Sequence, residues 1–284
     1  MGLTAIQKRE SSFAKAISRY FGYRFAIRNW RRLLELPAAD EILKTMRDTR
    51  IVKPIVSEPP RGNIVVLAPH PDDEAIGPGG TLLCLAGSGS ATLSLLLLTA
   101  GLPAERPIRR LESEATARRL GGSFHCLDLA DGDIPVDEVT VARFAAAIDA
   151  LAPDVLMLPF ALDDHDDHRR ANELLIKTAD RLACHPEVWA YQVYGGVLCN
   201  VVVDITDVAD AKRELIRTYS SQMAARDWAN FSLGLAAWNS RFLPRRDTAF
   251  AEMFLVLPLR DYVGLVRNLF QGGVGYRSKR YQAK

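Results

Sequence analysis

The sequence predicts an α/β fold, a mainly parallel sheet flanked by helices, on three observations. From residue 63 onward, apolar runs of strand length alternate with helical patterns, which is the mark of βαβ units. Two clusters of His and Asp stand just past two of those runs, at the strand ends where ligands gather in such sheets. The chain of 284 residues, 48% hydrophobic and 25% charged, has material for one large core.

Residues 64–68 and 91–98 read as buried strands, separated by a helix that starts near Ile76. Helices follow at 107–120, 136–151 and 169–183, alternating with strands at 123–127 and 155–159. The pattern is Rossmann-like. Residues 188–194 and 198–205, joined by Gly195 and Gly196, read as a hairpin or antiparallel extension, with a helix over 208–223 after them. Residues 75–104 carry no charge, long enough to suggest a membrane span. The glycines at 77–80 and 87–89 break the run, so it divides into a short helix and a buried strand.

Residues 1–55 hold 12 Lys/Arg against 5 Asp/Glu, a net +7 in a chain whose total is +2, leaving −5 for the rest. A basic helical N-terminal extension with its linker, residues 1–60, thus precedes an acidic core domain at 61–284, whose tail (273–284) is expected to be flexible. Phe13, Ile17, Phe21 and Phe25 recur every four residues among Lys15, Arg19, Arg24, Arg28, Arg31 and Arg32. A basic amphipathic helix at 12–36 packs on the body or a second subunit, or lies on an anionic membrane surface. With no secretory signal at its start, the chain is expected to be cytoplasmic, soluble or peripheral at the inner membrane face. Its oligomeric state is open. Cys84, Cys126, Cys184 and Cys199 lack C-x-x-C spacing and read as reduced thiols.

The segment 68–74 reads A-P-H-P-D-D-E, an imidazole followed by three carboxylates at the end of an apolar strand. Each half-buried carboxylate loses hydration worth several kcal/mol, which a cation or a reaction must offset. His70 and Asp73, three positions apart, can be aimed at one point, and their donor atoms suit zinc or another divalent transition metal. A third ligand has to come from elsewhere, and the best donor is the cluster 163–168, D-D-H-D-D-H, past the strand at 155–159. Three of the five histidines lie in these two segments. Taken alone, the second cluster also reads as a solvated acidic loop capping the next helix.

The pairing of A-x-H-P-D-D-E with a later H-x-D-H resembles the PIG-L/LmbE-like family of zinc-dependent N-acetyl-sugar deacetylases. Arg109 and Glu112 with Leu120-Gly121, Asp131-Gly132, V-D-I-T at 203–206 and Ser221-Gln222 extend the likeness over residues 63–223. The resemblance implies an LmbE-like fold, with His70, Asp73 and His168 as Zn2+ ligands and Asp72 as general base. It also implies that His165 is a cationic partner of the oxyanion, its imidazole held by Asp167. Asp166 stands where the family commonly has Pro, and its charge is expected to raise the His165 pKa. Arg109 and Asp131 become candidates for contacts with sugar hydroxyls, although Arg109 and Glu112 also have the spacing of a helix-surface ion pair. Glu74 reads as a brace for the motif.

The expected activity is hydrolysis of the acetamide of an N-acetyl amino sugar, free or in a glycoconjugate or lipid-linked form. Alternatives are another amide, on a thiol precursor or antibiotic glycoconjugate, or a non-catalytic carbohydrate-binding protein with a retained metal site. Gly77-Pro78-Gly79-Gly80 does not fit the G-x-G-x-x-G of dinucleotide binding, and no nucleic-acid reading motif accompanies the basic residues. His125 and His185 read as structural. Trp189, Tyr191, Tyr194, Trp228 and Trp238 offer either core packing or a platform for a sugar ring or lipid.

Overall fold

The computed structural model describes residues 54–270 other than 90 and 246, together with 40, 42 and 44. The expected helix at 12–36 and tail at 273–284 lie outside these residues. The chain runs β1 (Ile55–Val56), β2 (Gly62–Ala68), α1 (Asp73–Ile76), α2 (Gly79–Ser88), β3 (Ala91–Thr99), α3 (Arg106–Arg119) and β4 (Ser123–Leu129). It continues through α4 (Glu138–Leu151), β5 (Val155–Pro159), α5 (Asp166–Thr178), β6 (Glu187–Tyr191) and β7 (Val201–Asp204). Helices α6 (Ala209–Arg217), α7 (Ser220–Met223) and α8 (Trp228–Asn239) precede β8 (Ala251–Pro258) and α9 (Leu259–Val266).

Among the described residues one eight-stranded sheet forms, in the order β1-β7-β8-β6-β5-β2-β3-β4. Every pairing is parallel except those of β8, which runs antiparallel to both β6 and β7. After the edge strand β1 the chain lays down β2, builds outward through β3 and β4, then crosses to β5 on the other side of β2. That reversal makes a crevice at the carboxyl ends of β2 and β5, the usual ligand position in open α/β sheets.

Period-two alternation divides the strands between two cores. Val65 and Leu67 of β2 join Leu96, Leu98, Phe144, Leu174 and Tyr262 on one face, whereas Ile64, Val66 and Ala68 join Leu82, Leu95, Ala117 and Leu215 on the other. Ile42 is buried in the first core. Ile55–Val56, within the expected extension and linker at 1–60, adds the edge strand β1 to the sheet of the core domain through pairing with β7.

The expected hairpin at 188–205 does not form. β8, a strand sequence reading missed, inserts between β6 and β7. The connection through Gly195 instead turns back on the site: Tyr194 N and Gly195 N donate to Asp163 Oδ2 at 3.0 and 3.1 Å. A side chain on Gly195 would meet Asp163 Cα at 3.1 Å. The uncharged run 75–104 divides into α2 and β3 as expected, and among the described residues no helix is long and apolar enough to cross a membrane.

Candidate active site

Strand β2 ends in a tight turn that sets its His and Asp side chains by local geometry. The Asp73 carboxylate folds back to accept from His70 N at 2.9 Å, and Asp72 takes a left-handed backbone, φ 109°. For a residue with a Cβ that conformation costs on the order of 1–3 kcal/mol. His70, Asp72, Asp73 and Glu74 are all buried. From β5 the chain delivers Asp163, His165, Asp167 and His168 at the start of α5, where His165 Nδ1 caps the helix by accepting from Asp167 N at 3.1 Å.

Asp73 Oδ2 lies 3.4 Å from His70 Nδ1 and 3.1 Å from His168 Nε2. The outer nitrogen of each ring faces another carboxylate: His70 Nε2 is 2.9 Å from Asp167 Oδ2 and 3.2 Å from Asp131 Oδ1, while His168 Nδ1 is 3.0 Å from Asp163 Oδ1. Inner nitrogens turned on a shared carboxylate, with outer nitrogens held by Asp, match the carboxylate–histidine arrangement that orients metal ligands. Asp73 Oδ1 is buried without a hydrogen-bond partner, and neither His168 nitrogen completes a well-angled bond. Polar atoms left in that state need a partner, and a divalent cation fits this donor set. The His70, His165 and His168 nitrogens also lie within 4.8 Å of one another, as do donor atoms of His70, Asp131 and Asp167.

Charge follows this geometry. Burial alone would raise Asp73, but His168 and His70 hold its carboxyl far below the usual range. Burial and the Asp73 charge push Asp72 well above that range, with Arg109 opposing. Burial raises Glu74 to about 7 against the hydrogen bond donated by the Tyr219 hydroxyl. Glu74 thus braces the turn from beneath, tied to the short break between α6 and α7 that turns Tyr219 inward.

Two sequence expectations need correction. The Asp167 carboxylate is directed at Gly132 N (2.7 Å), Ile134 N (3.1 Å) and His70 Nε2, and Asp167 reaches His165 through its backbone amide. Where a raised His165 was expected, burial and the neighbouring His70 and His168 push its imidazole down to about 3, outweighing Asp167. The Arg109–Glu112 surface pair is also not what forms. Arg109 Nη2 donates to Pro71 O at 3.0 Å, while Glu112 accepts from Ser220 Oγ, Ser221 N and Ser221 Oγ. Helix α3 buries Arg109, Glu112, Ser113 and Thr116, a polar stripe at i, i+3, i+4 and i+7 facing inward. Asp163, placed in the second cluster by sequence reading without a role of its own, faces His168 Nδ1, and its neighbour Tyr194 stacks on His168 at 5.4 Å. Trp189 and Tyr191 are core residues.

A family model described as PIG-L, GlcNAc-PI de-N-acetylase, matches residues 65–179. Diacetylchitobiose deacetylase of Thermococcus kodakarensis is 29% identical over 191 residues, 58% of this chain and 72% of that protein. The N,N'-diacetylchitobiose deacetylase of Pyrococcus horikoshii shares the fold with a TM-score of 0.60 at 24% identity, over 71% of this chain and 85% of that one. GalB, the 4-carboxy-2-hydroxymuconate hydratase of Pseudomonas putida, shares it with a TM-score of 0.55 at 20% identity, over 70% of this chain and 96% of that one. The fold therefore hosts more than one reaction, and the site has to select among them. Both His/Asp clusters fall inside the stretch, residues 65–179, that matches the PIG-L family domain.

Proposed function

We propose that the protein is a metal-dependent hydrolase that removes acetyl from an N-acetylated amino sugar. The observation that carries this reading is the meeting of the two clusters around Asp73, whose second oxygen is buried without a partner beside Asp72. The match to the PIG-L family domain and the diacetylchitobiose deacetylase relative support the substrate class.

His70, Asp73 and His168 would hold the cation, and the mixed nitrogen and oxygen donors suit zinc. When bound, such an ion polarises the amide carbonyl and makes a water easier to deprotonate. Asp72, whose pKa burial and Asp73 push up, takes the proton of the attacking water. Water oxygen bonds to the acetyl carbon, the C–N bond breaks, and the Asp72 proton passes to the departing amine, leaving acetate and a free amino sugar. With Nδ1 of His165 accepting from Asp167 N, the ring carries its proton on Nε2 and donates from there to the oxyanion. Asp163 and Asp167 hold the His168 and His70 rings, and Arg109 and Asp131 line the approach.

Zinc-loaded protein should release acetate from members of a panel of N-acetyl sugars, lose that activity to a chelator and regain it with metal. Turnover of other amides alone would move the reading to the rival substrate class, and no hydrolysis at all would leave a binding protein.

A further inference from the structure

Tyr194 faces the imidazoles of the site and is also the first ring of a line that leads outward. Its ring stacks on His168 at 5.4 Å and 22°, and lies 6.1 Å from His165. Trp228 meets Tyr194 at 5.6 Å and 64°, and Phe231 lies 6.2 Å beyond Trp228. The Arg226 guanidinium sits 5.4 Å from both the Trp228 and Phe231 rings. Trp228 is half-buried against the second core, but Tyr194 is 41% and Phe231 55% exposed. Core packing accounts for the inner edge of Trp228, while Phe231 and Tyr194 keep exposed ring surface. A contiguous exposed aromatic patch marks a binding surface, and this one is continuous with the catalytic crevice.

We propose that Tyr194, Trp228 and Phe231 form a ring-stacking subsite for a second pyranose, so that the protein acts on an N-acetyl sugar joined to a further sugar in preference to the free monosaccharide. This rests on the N-deacetylase reading and specifies its substrate. The electron-rich face of an indole or phenyl ring matches the C–H groups of a pyranose, and the three rings abut one another in a single line. The 64° corner between Tyr194 and Trp228 gives a pyranose two walls. The fixed fork of Arg226 supplies donors for its hydroxyl oxygens. Trp228 and Phe231 lie beyond the matched residues 65–179.

The test compares kcat/KM on N-acetylglucosamine and N,N'-diacetylchitobiose for the zinc-loaded wild type, Trp228→Ala, Trp228→Phe and Phe231→Ala. The wild type should prefer the disaccharide. Trp228→Ala and Phe231→Ala should lower the disaccharide-to-monosaccharide ratio about tenfold, chiefly through KM, and Trp228→Phe should restore most of it. An unchanged ratio, or an equal fall on both substrates, would overturn the subsite. Should neither sugar release acetate, the deacetylase reading fails, and calorimetry decides the subsite separately. Disaccharide binding about tenfold weaker in Trp228→Ala supports it, and equal binding refutes it. Co-sedimentation with anionic phosphatidylserine vesicles that is lost in Phe231→Ala while the ratio stays unchanged would assign the strip to a membrane and refute the sugar subsite.

Discussion

Asp72 combines a backbone that disfavours any side chain with a buried carboxyl that the Asp73 charge opposes. Both features oppose folding and both serve a base positioned beside the ligands, so stability and activity should separate there. Asp72→Asn should lower kcat by a factor of about 10² to 10⁴ with metal content unchanged. Asp72→Gly should raise the melting temperature, a gain of about 1 kcal/mol once glycine's own entropy cost is subtracted, while abolishing turnover. Metal lost from Asp72→Asn would make Asp72 a ligand. The Asp72-Asp73 pair was legible because carboxylates crowded at a strand end repel one another and lose hydration unless a cation or a reaction uses them. The partner of Asp167 was not. Two positions from His165, it looks like a neighbour in sequence, but residues i and i+2 in a helical turn point different ways. Its carboxylate therefore meets the 131–134 loop and His70. Asp167→Asn should accordingly weaken metal affinity by about 10- to 100-fold.

The turn that carries the ligands is held from elements distant in sequence. Lys212 of α6, almost fully buried, donates to Ile76 O and Gly77 O at 2.9 Å each and to Glu252 Oε1 of β8 at 2.6 Å. Glu252 in turn accepts from Gly80 N and Thr81 N, capping α2 from outside the helix. Gly77 is required by closeness, since a Cβ there would lie 2.4 Å from Tyr191 Cδ2. Lys212→Met strands the Glu252 charge and should cost about 3–5 kcal/mol in denaturant unfolding. The double variant Lys212→Met with Glu252→Gln should recover part of that. A loss under about 1 kcal/mol in the single variant, the scale of an exposed pair, would show that the pair braces nothing. The alternation of strands and helices through β5 was legible from hydrophobic period, because buried parallel strands are nearly all apolar. Past β6 the same signal misled. Gly195-Gly196 looks like a hairpin turn, but β8 pairs between β6 and β7, and Gly195 instead allows close approach to Asp163.

At the scale of the molecule, a switch in strand order brings residues 70–73 and 163–168 to one crevice. A cation held there joins the two sides of the sheet and is absent from the unfolded chain, so its binding energy adds to folding stability. At a thousandfold excess over its Kd, zinc should contribute about 4 kcal/mol. That corresponds to a rise in melting temperature on the order of 10 °C, which a chelator should reverse; a melting temperature indifferent to metal would mean that no such linkage exists. That the donors of two strand ends meet was legible from their types and positions. Where an ion would sit among them was not, because His70 faces two carboxylate groupings, Asp73 beside His168 and Asp131 beside Asp167. The most direct test is the anomalous difference density of zinc-loaded crystals at the zinc edge. A peak bonded to His70 Nδ1, Asp73 and His168 Nε2 is the expected result. A peak bonded to His70, Asp131 and Asp167, with Asp73 and His168 still paired to each other, would contradict the ligand set and the role given to Asp72.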